Sequence, residues 1–355
     1  MALFGKKKGL VGVDIGSSAI KVVELKPGGK GGNEYQLANL GLEPLPPEAI
    51  VDGAIMDSGA VIDAIQRLFT AQKIKTSEVA TSVSGNAVIV KKISLPQMTA
   101  EELAESIHWE AEQYIPFDIQ DVALDYEVIE GSGGGGNMDV LLVAVKKDKI
   151  SDYTSAISQA GKNAAMVDVD VFALQNCYEI NYGIDPGRVI ALLNVGASIM
   201  NINIIKGPTS IFNRDIAVGG NQYTDAIQKD LNLSFDQAEA LKRGSRVEGA
   251  APENLAPILQ AVSENIALEI QKTFDFFKAT SSEDRIDRIF LAGGTSKVHG
   301  LQELLADRFE AGVEIMNPFN NITYNPRDFD PDFINDIGPS AAIAVGLAVR
   351  KVGDR

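Results

Sequence analysis

A repeated strand-turn-strand pattern is the feature that most constrains the fold. "GVDIGSSAIKVVEL" begins at Gly12, and "LLNVGASIMNINII" begins at Leu192, about half the chain later. Each stretch places a turn of small residues between two apolar strand patterns, and each continues through a second Gly-containing turn into a third strand pattern. Because a supersecondary unit repeated in this way indicates an internal duplication, we predict an α/β chain with two related sheet lobes that face one another.

The segments between and after the two meanders predict how the lobes are interrupted. "TAEELAESIHWEAEQYIPF" is typical of a helix with a capping box formed by Thr99 and Glu102, and strand patterns flank it on both sides. In the second half, prolines at 252 and 257 predict breaks in a charged helical region. We therefore predict four parts. The first lobe comprises residues 1–82 and 164–186, with a C-terminal helix at 338–352 packed back on it. An inserted strand-helix-strand-strand-helix module follows at 83–163. The second lobe comprises 187–220 and 286–337, and it carries a helical insertion at 221–285.

Composition excludes several function classes. The formal charge is -16, with 48 acidic and 32 basic residues, so the chain would repel nucleic acid. The run Lys6–Lys8 is too short for stable membrane attachment, and no apolar run reaches the roughly 18 to 20 residues of a membrane span. The glycine run at 131–136 lacks the ending of a P-loop and is interpreted as a hairpin tip. With one cysteine, Cys177, a reducing cytoplasm is favoured.

The first meander contains the chemistry expected of a phosphate site. Gly16 has no Cβ to keep a phosphate away, Ser17 and Ser18 offer amide and hydroxyl donors, and Lys21 supplies a cation. Asp14 is expected to hold Mg²⁺ through water, because Mg²⁺ keeps several waters when it bridges phosphates. A Gly-Ser turn beside a polar strand residue is also common, so the motif depends on the rest of the chain for support.

Three segments in order resemble the phosphate-1, phosphate-2 and adenosine motifs of the actin-like ATPase superfamily. They are "GVDIGSS" at 12–18, "LNVGAS" at 193–198 and "IFLAGGTSKVHGLQELL" at 289–305. The inserted module, together with "HWEAEQYIPFDI", "VDVDVFALQN" and "EIQKTFDFF", resembles the FtsA/PilM branch, and within it the type IV pilus assembly family PilM. The resemblance implies a two-lobed actin-like fold of duplicated ribonuclease-H-like domains, with an inserted SHS2-like α+β module.

The same resemblance implies a site for ATP and Mg²⁺ between the lobes. The implied metal residue is Asp14, and the implied catalytic residues are Asp14, Gln175 and Asn194. A helix-surface amide is the alternative interpretation of Gln175, and an exposed ion pair is the alternative for Glu239 with Lys242. The implied cofactor-binding residues are Gly16, Ser17, Ser18, Lys21, Gly196, Ala197, Ser198, Gly219, Gly220, Glu239, Lys242, Gly293, Gly294, Thr295 and Lys297.

By resemblance, the function is that of a cytoplasmic ATP-binding adaptor in type IV pilus or related secretion machinery. Such a protein grips the N-terminal cytoplasmic tail of an inner-membrane PilN-like protein, in a groove between the first lobe and the inserted module, and is recruited to the membrane by it. Asn194 stands where the superfamily's nucleotidases have aspartate, and an amide brings no charge and accepts no proton. Weak or absent hydrolysis is therefore expected. An active ATPase or phosphotransferase and an FtsA-like filament former are the alternatives.

Overall fold

The computed structural model describes residues 9–28, 34–129, 136–248, 250–309 and 311–354. The basic run Lys6–Lys8 and most of the glycine run, residues 131–135, lie outside these ranges. The strands are β1 (Val11–Ile15), β2 (Ala19–Gly28), β3 (Glu34–Pro44), β4 (Ile50–Val51), β5 (Ala54–Ile55), β6 (Glu78–Val83), β7 (Val88–Pro96), β8 (Val122–Ile129), β9 (Asn137–Lys146), β10 (Asn163–Val169), β11 (Val189–Val195), β12 (Met200–Lys206), β13 (Thr209–Ile216), β14 (Arg288–Ala292), β15 (Gly312–Ile315) and β16 (Ile322–Thr323). The α-helices are α1 (Ser58–Ala71), α2 (Ala100–Glu112), α3 (Lys147–Gln159), α4 (Asp170–Tyr182), α5 (Asn221–Leu231), α6 (Phe235–Lys242), α7 (Pro252–Thr280), α8 (Leu301–Phe309), α9 (Pro331–Ile337) and α10 (Ala342–Ala348).

Two sheets repeat one topology. The first has the order β10-β6-β1-β2-β3-β16 and the second β13-β12-β11-β14-β15. In each, three consecutive strands form an antiparallel meander, and the first strand of that meander pairs in parallel with a strand from later in the chain, β6 or β14. The buried central strands β1 and β11 are almost wholly apolar, as expected for strands covered on both faces. The predicted duplication is present in the sheet topology.

Helix α10 packs closely between the sheets, and small residues make this packing possible. A Cβ at Gly12 of β1 would overlap the backbone of α10 at Ala344, and one at Gly346 of α10 would overlap the carbonyl of Ala173 in α4. The core around α10 and α4 contains buried side chains from both sheets, including Leu192 of the second. The packing of α10 and α4 thus fixes the ends of β1 and β11 on either side of a shared core.

The inserted module contains a three-stranded antiparallel sheet in the order β7-β9-β8. Helix α2 packs on it through Leu103, Ile107 and Ala111, and the predicted capping box of Thr99 and Glu102 is present. The last helix of the predicted module behaves differently, because α3 buries Tyr153 and its neighbours in the core of the first sheet. By packing, the module's own core therefore ends at β9.

Two other segments differ from the sequence predictions for physical reasons. The helical region of 221–285 was expected to break at Pro257, but α7 begins at Pro252 and continues through Pro257. The chain after β15 was assigned to the second lobe, but β16 pairs in parallel with β3 of the first sheet, joining Ile322 to Tyr35. The N-cap of α1 is Asp57, whose carboxylate accepts the Ala60 amide at 2.9 Å.

Candidate functional site

The first part of the site is the β1–β2 turn and the polar pair beside it. Asp14, near the end of β1, accepts an ion pair from Lys21 of β2 at 3.1 Å, and the two residues are opposite each other in the strand register. Both side chains are 13% exposed, so their charges lie largely out of bulk water. The Lys21 ammonium lies against Gly16, where a Cβ would be 2.8 Å from Nζ. Ser17 and Ser18 complete the turn, and Ser18 is exposed.

The second part is a set of backbone segments in the other lobe that touch one another directly. The Gly220 amide donates to the Gly196 carbonyl at 2.9 Å, and the Asn221 amide donates to the Ala197 carbonyl at 2.8 Å. A Cβ at Gly219 would lie 2.5 Å from the Gly196 oxygen and 2.6 Å from that of Ala197. Only glycine fits this position without displacing backbone. The β11–β12 turn is therefore joined to the N-terminus of α5.

The "GGTS" turn after β14 adjoins the same backbone. Gly293 has φ +86°, a left-handed conformation that favours glycine, and its amide donates to the Pro339 carbonyl at 2.7 Å. The Thr295 hydroxyl donates to the Gly196 carbonyl at 2.8 Å. Gly294 is exposed. The structure therefore brings the sequence-predicted residues of the second and third motifs into one cluster.

Glu239 and Lys242 belong to this cluster and are mostly buried. The Lys242 ammonium donates to Glu239, to the Gly220 carbonyl at 3.2 Å and to the Thr224 hydroxyl at 2.9 Å. Burial lowers the pKa of Lys242 in spite of the carboxylate beside it. The pKa of Glu239 is raised by burial, but its contacts with Lys242, Thr224 and Arg243 outweigh this and lower it overall. The simple alternative of an exposed surface pair does not describe these two side chains.

Asn194 begins a hydrogen-bonded relay across the second sheet. Its amide donates to Asn201 Oδ1 at 2.8 Å, Asn201 donates to Asp215 Oδ1 at 2.8 Å, and Asp215 Oδ2 accepts the Gly85 amide at 2.6 Å. Burial raises the pKa of Asp215, although the bonds from Asn201 and Gly85 and the charge of Lys149 act in the opposite direction. The relay connects the end of β11 to the loop that leads into the inserted module.

Asp170 is a partly buried carboxyl group that sequence reasoning missed. It begins α4, and the Ser82 hydroxyl donates to it at 2.5 Å. Burial, followed by the negative charge of Asp14, raises the pKa of Asp170 to about 6, against the bonds from Ser82 and Ser84. The charges of Asp14 and Asp215 both act on Asp170, which places this carboxyl group within electrostatic reach of the two others. The signal in the sequence was a carboxylate at the junction of the strand pattern "AAMVDV" with the following helix.

Comparison with known proteins shows which family this chain resembles. A profile of the type IV pilus assembly protein PilM family matches residues 12–352. The solved structure described as the PilM-PilN type IV pilus biogenesis complex contains a chain that is 28% identical, with a TM-score of 0.87, over 98% of this chain and 100% of that one. This chain belongs to the PilM family.

More distant structures share the fold of this PilM-family chain. The ethanolamine utilization protein EutJ from Carboxydothermus hydrogenoformans is 13% identical with a TM-score of 0.57, covering 97% of this chain and 90% of its own. MreB5 of Spiroplasma citri, solved bound to AMPPNP, is also 13% identical with a TM-score of 0.53, covering 96% and 95%. The two-lobed actin-like fold predicted from the sequence is confirmed.

Two residues named from the sequence stand apart from the cluster in this PilM-family chain. Gln175 is buried, and its amide donates to Glu179 and to the Pro208 carbonyl, both at 2.8 Å, while its oxygen accepts from Asn203. Lys297 is exposed and donates to the side chain of Asp336 and to its carbonyl. Both side chains already have protein partners, so a ligand would have to displace those bonds.

Metal and membrane features were also tested in this PilM-family structure. Among the described residues, no three Asp, Glu, His or Cys side chains lie close enough together to hold a metal ion by themselves. The carboxylate of Asp14 fits a metal that takes its other ligands from phosphate oxygens and water, which is the usual arrangement for Mg²⁺. In the same part of the chain, no helix has the length and apolar character needed to cross a membrane.

Proposed function

We propose that this PilM-family chain is an ATP-binding adaptor of type IV pilus or related secretion machinery. One observation carries the proposal, namely the match to the chain of the PilM-PilN complex over essentially the whole of both chains. An actin-like fold alone would not favour this function over others, because one fold hosts many functions. Identity of 28% over the full length, together with the family match, favours the adaptor.

ATP would lie between the β1–β2 turn and the β11–β12 turn. Gly16, Ser17, Ser18 and Lys21 would hold phosphate oxygens from one side. Asp14 would hold Mg²⁺ through water. Backbone amides at turns bind anions well where no side chain intervenes, and Gly16 and Gly196 bring no side chain to the two turns.

The other end of the nucleotide would lie against the second-lobe cluster. Gly196, Ala197 and Ser198 would face the phosphates, and Gly219 with Gly220 would support them at the start of α5. Glu239 and Lys242 would contact the ribose and adenine, and Gly293, Gly294 and Thr295 would provide a flat backbone surface. Lys297 would contact the nucleotide only after its ion pair with Asp336 is broken.

The site favours holding ATP over cleaving it. The amide of Asn194 is held by Asn201 and offers no negative charge, and Gln175 is bonded away from the cleft. A slow ATPase is the second candidate, because Asp170 is a partly buried carboxyl group within electrostatic reach of Asp14 that could accept a proton from water once ionised. We propose turnover that is slow or absent, with Asp170 as the group responsible for any that occurs.

The proposed partner is the N-terminal cytoplasmic tail of an inner-membrane PilN-like protein. The tail would bind between the first lobe and the inserted module, which the sequence prediction sets at 83–163. In this proposal the chain works in the cytoplasm and reaches the inner-membrane face through that partner. The printed description of the matched structure, a PilM-PilN complex, supports this partner.

A binding measurement tests the adaptor function. A synthetic peptide of the first residues of the PilN-like protein from the same organism would be titrated into the full chain, with a scrambled peptide of equal composition as the control. We expect saturable one-to-one binding of the native peptide only. Equal binding of both peptides, or binding of neither, would contradict the proposed partner.

A further inference from the structure

Three turns meet where the inserted module joins the first lobe. Gly53 lies in the β4–β5 turn and Gly85 in the β6–β7 turn, with φ of +78° and +86°. Ile199, at the tip of the β11–β12 turn of the second lobe, reaches both: a Cβ would lie 3.6 Å from Ile199 Cδ1 at Gly53 and 3.2 Å at Gly85. The turn that is proposed to face the phosphates therefore lies next to the base of the inserted module.

A single carboxylate joins these parts through hydrogen bonds. Asp215, on β13 of the second sheet, accepts the Gly85 amide at 2.6 Å with one oxygen and Asn201 at 2.8 Å with the other. Gly85 lies just after β6, where the chain leaves the first sheet for the module. Hydrogen bonds to charged acceptors are stronger than hydrogen bonds to neutral acceptors, especially away from water. Asp215 thus connects the second lobe to the entry of the module.

The exit of the module is held at the same place. Lys149, at the start of α3 directly after β9, is buried and donates to the Gly53 carbonyl. The hydroxyl of Tyr153 donates to the same carbonyl at 2.9 Å. The Lys149 ammonium also acts electrostatically on Asp215. Entry and exit of the module are therefore both held at the contact between the lobes.

The relay from Asn194 reaches Asp215 through two hydrogen bonds, from Asn194 to Asn201 and from Asn201 to Asp215. We infer that the Asp215 carboxylate is a latch that couples the nucleotide site to the inserted module. A ligand at the Gly196–Ser198 turn would move Asn194 or Ile199, and the change would reach Gly85 through Asn201 and Asp215. The inference rests on the proposed function, because it assumes that a nucleotide occupies the cleft.

Hydrogen-deuterium exchange of residues 84–92 in the full chain tests the latch. Without nucleotide, Asp215→Ala should speed exchange of the Gly85 amide by about tenfold or more, since a bond to a charged acceptor is lost. Asp284→Asn, an exposed aspartate of the same lobe, is the matched control and should leave exchange unchanged. Unchanged exchange in Asp215→Ala would overturn the latch.

The same variants with Mg²⁺ and AMPPNP test the coupling. We expect AMPPNP to change exchange at 84–92 in the wild type and in Asp284→Asn, and to leave it unchanged in Asp215→Ala although the nucleotide still binds by calorimetry. Ile199→Ala, which removes the Cδ1 atom near Gly53 and Gly85 and leaves the relay intact, should reduce the response in part. An equal response in Asp215→Ala and wild type overturns the coupling alone. Absence of nucleotide binding to the wild type overturns the proposed function and the coupling together.

Discussion

The side chains of the site are positioned in two different ways. Gly16, Ser17 and Ser18 lie in one contiguous turn between β1 and β2, so the turn itself holds them together. Asp170 and Gln175 both lie on α4, but five residues of an α-helix correspond to a rotation of about 140°, so they face in very different directions. Which of the two faces the cleft depends on how α4 packs on the sheets, and no local pattern reports that.

Asp170 should make the stability of the protein depend on pH. Its carboxyl group binds a proton more tightly in the folded chain, with a pKa of about 6, than in the unfolded chain, at 3.8. Wild-type stability therefore falls as pH rises through this window and stays reduced above it. Asp170→Asn removes that cost and keeps an oxygen for Ser82, so the free energy of unfolding at pH 8 should increase by roughly 1–3 kcal/mol.

Chemical denaturation at pH 5.5 and pH 8 checks this. The difference between Asp170→Asn and wild type should be larger at pH 8. Asp63→Asn, on the exposed face of α1, should change little at either pH. A difference that is the same at both values would show that Asp170 is not the titrating group.

At the scale of elements, periodicity and caps predicted the strands and most helices. How β16 pairs and where α3 packs are determined by contacts between distant parts of the chain. The capping box of α2 and the buried face of α1 are local, and both are present. The pairing of β16 with β3 and the packing of α3 in the first core join residues far apart in sequence. Such contacts depend on the whole fold. A strand of two residues, such as β16, also carries too little sequence pattern to be predicted.

Helix α10 should tolerate no side chain at Gly346. A Cβ there would overlap the backbone oxygen of Ala173, which cannot move aside as a flexible side chain would. Gly346→Ala should therefore lower the free energy of unfolding by about 3 kcal/mol. Gly312→Ala, where nothing lies within 4 Å of the added Cβ, is the matched control and should be close to neutral in thermal unfolding. Equal stability of the two variants would contradict the packing described for α10.

At the scale of the whole molecule, two lobes share one topology and pack on a common cluster around α10 and α4, while their turns carry different chemistry. The first lobe offers Asp14 and Lys21, and the second offers backbone amides with Glu239 and Lys242. The duplication was readable from the sequence because each meander is local and the turns repeat. The link from Asn194 through Asp215 to Gly85 was not, because it joins three strands and a loop of the other lobe.

Calorimetry can establish whether the protein binds ATP through Mg²⁺ and Asp14. Full-length protein freed of endogenous nucleotide would be titrated with ATP, with and without Mg²⁺, as wild type, Asp14→Asn and the control Asp63→Asn. We expect one ATP per chain in wild type and control, and binding weaker by about tenfold or more without Mg²⁺ or in Asp14→Asn, since a metal contact to a carboxylate is lost. Absence of ATP binding to the wild type, or equal affinity in Asp14→Asn, would contradict it.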